Sequence, residues 1–164
     1  GNGGQLAGWC MAQGEEHGYH FGGDVYQRVE LSENGLDCRI VPASDPVGEG
    51  TYNAAEFTPA LIKDGEKIED SFWTGEQPRA CFGTGDQGVY MLIIEGRYPD
   101  EGIRGTSVNT CSDILLAYGC RNALNMDGGS SAILWYDGEY VTQSSSSFLR
   151  YTGGRPLPNA WVYG

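Results

Sequence analysis

The chain has 164 residues, 40% apolar and 12% aromatic, enough for one domain spanning 1–164 with its own core. Its formal net charge of −12 repels nucleic acid and anionic membrane surfaces, which excludes both as partners. No run is long and apolar enough to insert into a membrane.

Residues 1–23 show no steady period and carry both histidines, His17 and His20. Two histidines three apart read as surface or loop residues rather than metal ligands. From residue 24 the text turns to strands: "DVYQRVEL" is followed by the turn signal "ENG", and "CRIVPASDP" is a strand ended by Pro42 and Pro46. "PALIKDGEKI" is a hairpin with Asp64-Gly65 at its tip. "RACFG" and "VYMLIIEG" form a strand pair around "TGDQG", and the unbroken "YMLII" predicts a strand buried on both faces.

The one convincing helix runs from Ser107 to Tyr118. Val108, Cys111, Leu115 and Tyr118 share a face, with Thr106 or Ser107 as cap and Gly119 as stop. "NALNMD" is a short buried strand, "AILWYDGEYV" a hairpin around Asp137-Gly138, "QSSSS" a polar loop, and "NAWVYG" a closing strand. Many strands and few helices predict an α+β domain, a mixed and mainly antiparallel sheet with a helical layer. The five cysteines lack metal spacing: four could pair in a secreted chain, or all five could be small buried hydrophobes. With no initiator Met and no signal peptide, the chain reads as a mature or trimmed fragment.

Four segments carry chemistry. In "NMDGGSS", Asp127 ends a strand and is followed by Gly128, Gly129, Ser130 and Ser131, whose N–H and hydroxyl groups suit anionic oxygens. In "IIEGR", Glu95 ends another strand, then Gly96 and Arg97. Paired carboxylates at adjacent strand ends are what glycosidic cleavage requires, one for the anomeric carbon and one for the proton. In "QPRACFG", Arg79 enters the core and needs an anionic partner. In "RPLPNAWVYG", Arg155 and Asn159 sit in a stiff Pro-flanked segment. Residues 1–76 hold 14 acids and 4 bases, whereas 77–164 hold 8 acids and 6 bases, all Arg, a distribution that suits a local anion site.

In their order, "PRACFG", "IIEGR", "ALNMDGGSSAILWYDGEYV" and "RPLPNAWVYG" resemble the phosphodiester glycosidase family over roughly residues 50–164. The resemblance implies hydrolysis of a sugar-1-phosphodiester or a related exposed glycosidic bond by an extracellular or cell-surface protein. It assigns catalysis to Asp127, Glu95 and Arg79. By the resemblance, substrate binding falls to Asn53, Arg97, Gly128, Gly129, Ser131 and Asn159, and by their place in the same segments Ser130 and Arg155 join them. The family's early Asn-Gly-Gly-aromatic-Phe step corresponds to "YNAAEF", where Ala54 and Ala55 replace the glycines and would block close backbone approach. Residues 1–50 show no convincing match.

Mechanistically, Arg79 with Arg97 would pair with the phosphodiester oxygens while Gly128 and Gly129 N–H groups orient the substrate. The expected partner is a carbohydrate or glycosyl phosphate, and no cofactor is expected. Two rivals stand beside this reading. One is a non-catalytic carbohydrate-binding module using its ten tyrosines and four tryptophans. The other is a hard cation such as Ca²⁺ held by Asp127, Glu95 and Asn53.

Overall fold

The computed structural model describes residues 6–145 and 154–163. A first sheet contains β1 (Trp9–Ala12), β2 (Glu15–Gly18), β3 (Gln27–Leu31), β4 (Cys38–Pro42) and β5 (Asn53–Phe57), in the order β2-β1-β5-β3-β4. A second contains β6 (Ala60–Lys63), β7 (Glu66–Lys67), β8 (Arg79–Gly85), β9 (Gly88–Ile94) and β10 (Cys120–Met126), in the order β7-β6-β10-β8-β9. β11 (Trp135–Tyr136) and β12 (Glu139–Tyr140) form a separate hairpin, and α1 spans Val108–Ala117. The α+β class is as expected. Every strand pairing among the described residues is antiparallel, so the sheets are not mixed.

The second sheet is the middle of three layers, because its strands are apolar on both faces. One face places Ala60, Phe82 and Leu124 against Val29, Leu31, Ile40 and Ala55 of the first sheet. The other places Ile62, Cys81 and Ala123 against Val108, Cys111 and Leu115 of α1. Successive residues of β9 alternate between these two cores: Val89 and Met91 face the first sheet, Tyr90, Leu92 and Ile94 the helix. That explains the unbroken apolar run. β9 is nevertheless an edge strand, only half-buried along its length, rather than the fully buried one predicted.

The helix begins as predicted, with Ser107 Oγ accepting from the Thr110 N–H at 3.2 Å. Both Asp-Gly hairpin tips are present; Asp64 and Asp137 take φ values of 53° and 48°, as type I′ turns require. All five cysteines are free thiols. Burial pushes Cys38 and Cys120 up to about 11, so they act as packing groups rather than nucleophiles.

Two expectations fail. β1 and β2 lie in the stretch that showed no period, because β2 is exposed at all four residues and is held only by pairing with β1. The closing strand is absent: described residues 154–163 are irregular, and Trp161 instead stacks on Phe82 with ring centroids 4.0 Å apart. Of the "QSSSS" loop, residues 143–145 are irregular as predicted, and 146 and 147 lie outside the described residues.

The outer face of the first sheet is charged and covered. Arg28, Glu30 and Glu56 are all at most 5% exposed beneath the segment after β2, which brings His20 and Phe21 to Glu56, and beneath segment 43–51. Arg28 donates to Glu30 at 2.7 Å, to Glu56 at 3.5 Å, and to the carbonyls of Ala43, Asp45 and Pro46. His20 Nδ1 lies 2.6 Å from Glu56 Oε1, its ring stacked on Trp9. His17 is exposed on β2, as read.

Candidate active site

Three strands of the second sheet end together. Arg79, first in β8, is in register with Ile94, last in β9, and Ala80 is in register with Met126, last in β10. The next residues, Glu95 and Asp127, therefore leave the same end of the sheet, one on each side of β8. The sequence suggested neighbouring strand ends. With β8 between them, the two backbones are two strand spacings apart, about 10 Å.

Asp127 is exposed, and its Oδ2 accepts from Ser131 Oγ at 2.7 Å and from Arg155 Nη2 at 3.2 Å. Arg155 Nη2 also reaches Ser131 Oγ at 2.5 Å, which closes a triangle of carboxylate, hydroxyl and guanidinium. The Asp127 Oδ1 atom meets no protein donor among the described residues. One carboxylate oxygen is thus anchored while the other faces outward.

The two glycines are required by the packing of the loop itself. A Cβ on Gly128 would stand 2.5 Å from the Pro78 carbonyl oxygen, so only glycine lets this loop lie against the entry to β8. Gly129 takes φ 57°, and its N–H donates to that same Pro78 carbonyl at 2.9 Å. Its N–H is consequently not offered to a ligand. A Cβ there would be 3.1 Å from Arg97 Nη1, which shows how closely Arg97 approaches the Asp127 loop. Ser130 lies half-buried in the same short turn.

Arg97 is exposed and itself takes φ 69°. Its Nε and Nη2 both donate to Gln77 Oε1, at 2.9 and 2.8 Å, leaving Nη1 without a protein acceptor among the described residues. Gln77 was missed in the sequence, although it directly precedes Pro78-Arg79. Nothing in its type distinguishes an amide that props an arginine from any other. Glu95 Oε1 accepts the Gln143 N–H at 2.5 Å, which ties the segment after β12 to the end of β9.

Arg79 enters the core as read, but the acceptors it meets are backbone carbonyls rather than an anion. It is 4% exposed, and its Nε donates to Thr106 O at 3.0 Å while Nη2 donates to Gly75 O and Trp73 O at 2.8 and 3.3 Å. Burial lowers its pKa, but a guanidinium remains a cation at any physiological pH. It fastens the loops before β8 and before α1 directly behind the cluster.

Asn53 is not brought into the cluster. It pairs with Leu31 and through it with Cys38, whose carbonyl accepts from Asn122 near the start of β10, the end opposite Asp127. Its Oδ1 caps the β1–β2 turn by accepting the Gln13 N–H at 3.0 Å. That position removes Asn53 from any shared cation site with Asp127 and Glu95. Ala54 and Ala55 are packed within β5, 2% and 8% exposed, and do not line the cluster. Asn159 is exposed and has no hydrogen bond to the cluster among the described residues.

A family model for phosphodiester glycosidase matches residues 4–163. The chain belongs to the phosphodiester glycosidase family. The match extends to the first fifty residues, where motifs gave no sign of it: that segment supplies four of the first sheet's five strands. Among solved structures, the chain is similar to the catalytic domain of zebrafish N-acetylglucosamine-1-phosphodiester alpha-N-acetylglucosaminidase, described as auto-inhibited by its pro-peptide. The likeness has a TM-score of 0.62 at 16% identity, over 86% of this chain and 52% of that one. The phosphodiester glycosidase chain described here thus spans about half the length of that relative. A hypothetical protein from Synechocystis is also similar, with a TM-score of 0.45 at 19% identity, over 74% of this chain and 31% of that one. No curated protein matches in sequence. Among the described residues, no helix is long and apolar enough to cross a membrane.

Proposed function

We propose that this protein hydrolyses a glycosyl phosphodiester, with Asp127 addressing the anomeric carbon. The observation that carries this reading is the anchored carboxylate: Asp127 is oriented through Oδ2 by Ser131 and Arg155, keeps Oδ1 outward, and lies beside Arg97. Orienting one oxygen restricts the rotation of the carboxylate, so the other can meet a developing positive centre without reorganising.

The anion-binding role passes from Arg79 to the exposed guanidinium groups. Arg97 has a donor left over and presents a planar fork to phosphate oxygens, and Arg155 flanks the same carboxylate. A departing phosphate is a weak base, so charge neutralisation by arginine matters more than protonation of the leaving oxygen. Glu95, from the neighbouring loop, handles the proton on the attacking water. Arg79 is a positioning residue that holds the loops around the site. The extracellular address and the carbohydrate substrate belong to the same proposal.

The alanines that favoured a binding module lie in the first sheet, so they give that rival no support. The test is release of reducing sugar from a panel of sugar-1-phosphodiesters and aryl glycosides, wild type against Asp127→Asn. Turnover of at least one phosphodiester, abolished in the variant, is expected. Near-full activity in Asp127→Asn would remove the assignment.

A further inference from the structure

Two of the five thiols are neighbours in the fold although distant in the chain. Cys81, in β8, and Cys111, near the start of α1, meet in the core between the second sheet and the helix. They are 3% and 0% exposed and hydrogen-bonded to each other. The other three thiols are placed differently. Cys120 Sγ lies over Gly83 and donates to the carbonyls of Thr84 and Asn122, each at 3.4 Å. Cys10 and Cys38 pack into the core on the opposite face of the sheet.

The pair is chemically unequal. The hydrogen bond from Cys81 and the charge of Arg79 hold Cys111 below the usual thiol value, against the opposing effect of burial. The same bond and burial push Cys81 well above it. One sulfur is therefore readied as a thiolate while its neighbour keeps a proton. A thiolate beside a second thiol is the arrangement that forms a disulfide through an oxidised intermediate. Burial selects the oxidant. A disulfide the size of oxidised glutathione cannot reach a core closed by sheet and helix. Hydrogen peroxide is uncharged and little larger than water, and local opening admits it.

We propose that Cys111 is a site of oxidation by hydrogen peroxide, with Cys81 as the thiol that resolves it into a disulfide. The Cys111 thiolate attacks one peroxide oxygen, the O–O bond breaks, and the departing hydroxide takes up the proton that Cys111 had lost. The Cys81 sulfur then attacks the Cys111 sulfur. The S–O bond breaks, and its hydroxide leaves with the Cys81 proton as a second water. Two thiols lose two electrons and two protons, and one peroxide becomes two waters. Arg79 already links the stretches ahead of β8 and α1 through Thr106 O, and the disulfide adds a covalent tie between the two elements themselves. The chemistry is the same whether or not the protein is a glycosidase.

The folded protein is treated with hydrogen peroxide, denatured, alkylated without reductant and mapped by tandem mass spectrometry. A Cys81–Cys111 cross-link is expected, with Cys10, Cys38 and Cys120 alkylated. The denatured chain treated in the same way favours Cys111–Cys120 instead, because that loop is the shortest to close. In Cys81→Ala the reaction stops at a sulfenic acid on Cys111, which dimedone captures; in Cys111→Ala, Cys81 stays reduced. A different main cross-link in the folded protein, or five thiols that remain reduced, overturns the site. Oxidation of Cys81 in Cys111→Ala at the wild-type rate overturns the order of attack. Where a variant does not fold, the wild-type map decides alone.

Discussion

Two clusters of carboxylates and arginines occupy this molecule, built from the same residue types and organised in opposite ways. On the first sheet, Glu30 accepts from Arg28, Gly48 N–H, Arg39 and Thr51, and Arg28 spends its donors on two carboxylates and three carbonyls. At the end of the second sheet, Asp127 has one oxygen engaged and Arg97 one terminal nitrogen unengaged among the described residues. A saturated, buried network has no capacity left for a ligand; its role is to hold the segment after β2, at His20 and Phe21, and segment 43–51 on the sheet. An exposed network with spare donors and acceptors can take one. Satisfaction, rather than charge, separates structure from chemistry here.

The comparison is most sharply tested at Asp127. Asp127→Asn lowers kcat about 10³- to 10⁴-fold, worth about 4–5.5 kcal/mol, with an unchanged melting curve. The mirror experiment is Arg28→Ala, which costs about 3–5 kcal/mol of stability because it strands buried carboxylates, while kcat of the folded fraction is unmoved. Measuring both quantities on both variants would break the comparison if either cluster moved the wrong one.

The first network also carries a pH signature. Burial opposes ionisation of Glu30, but hydrogen bonds and charge from Arg28 and Arg39 outweigh it and hold its carboxyl below the usual value. A carboxyl lowered in the fold contributes stability above its unfolded value, near pH 4.3, and loses it as the pH falls through the folded one. Glu30→Gln therefore flattens the fall in Tm on acidification. Next in size, Arg97→Ala and Arg155→Ala each lower kcat/KM on phosphodiesters about 10- to 100-fold, with partial recovery in the Lys variants. The smallest effect is at Asn53: Asn53→Ala costs about 1 kcal/mol through the lost turn cap, and kinetics do not change.

Much of the second sheet was legible because its signals are local. Apolar runs in β9 and β10, Asp-Gly tips, and the Ser107 cap each determine a structure within a few residues. The first sheet was less so. "QRVEL" alternates charged and apolar residues, which suggests one wet face, yet Arg28 and Glu30 lie under segments distant in the chain. At the site, residue type revealed the strand-end acids but not where their partners were. Arg79 and Arg97 stand in equally suggestive motifs. Only the fold shows that one is spent on carbonyls and the other is open, and only strand register separates Asn53 from Asp127.

Arg79 joins the stretch ahead of β8 to the one ahead of α1, through carbonyls at Trp73, Gly75 and Thr106. Anyone seeking to retarget this scaffold by grafting should move those two stretches as a set. Exchanging one alone would strand a buried cation among mismatched acceptors, whereas a paired graft keeps the tether intact and leaves both cores untouched.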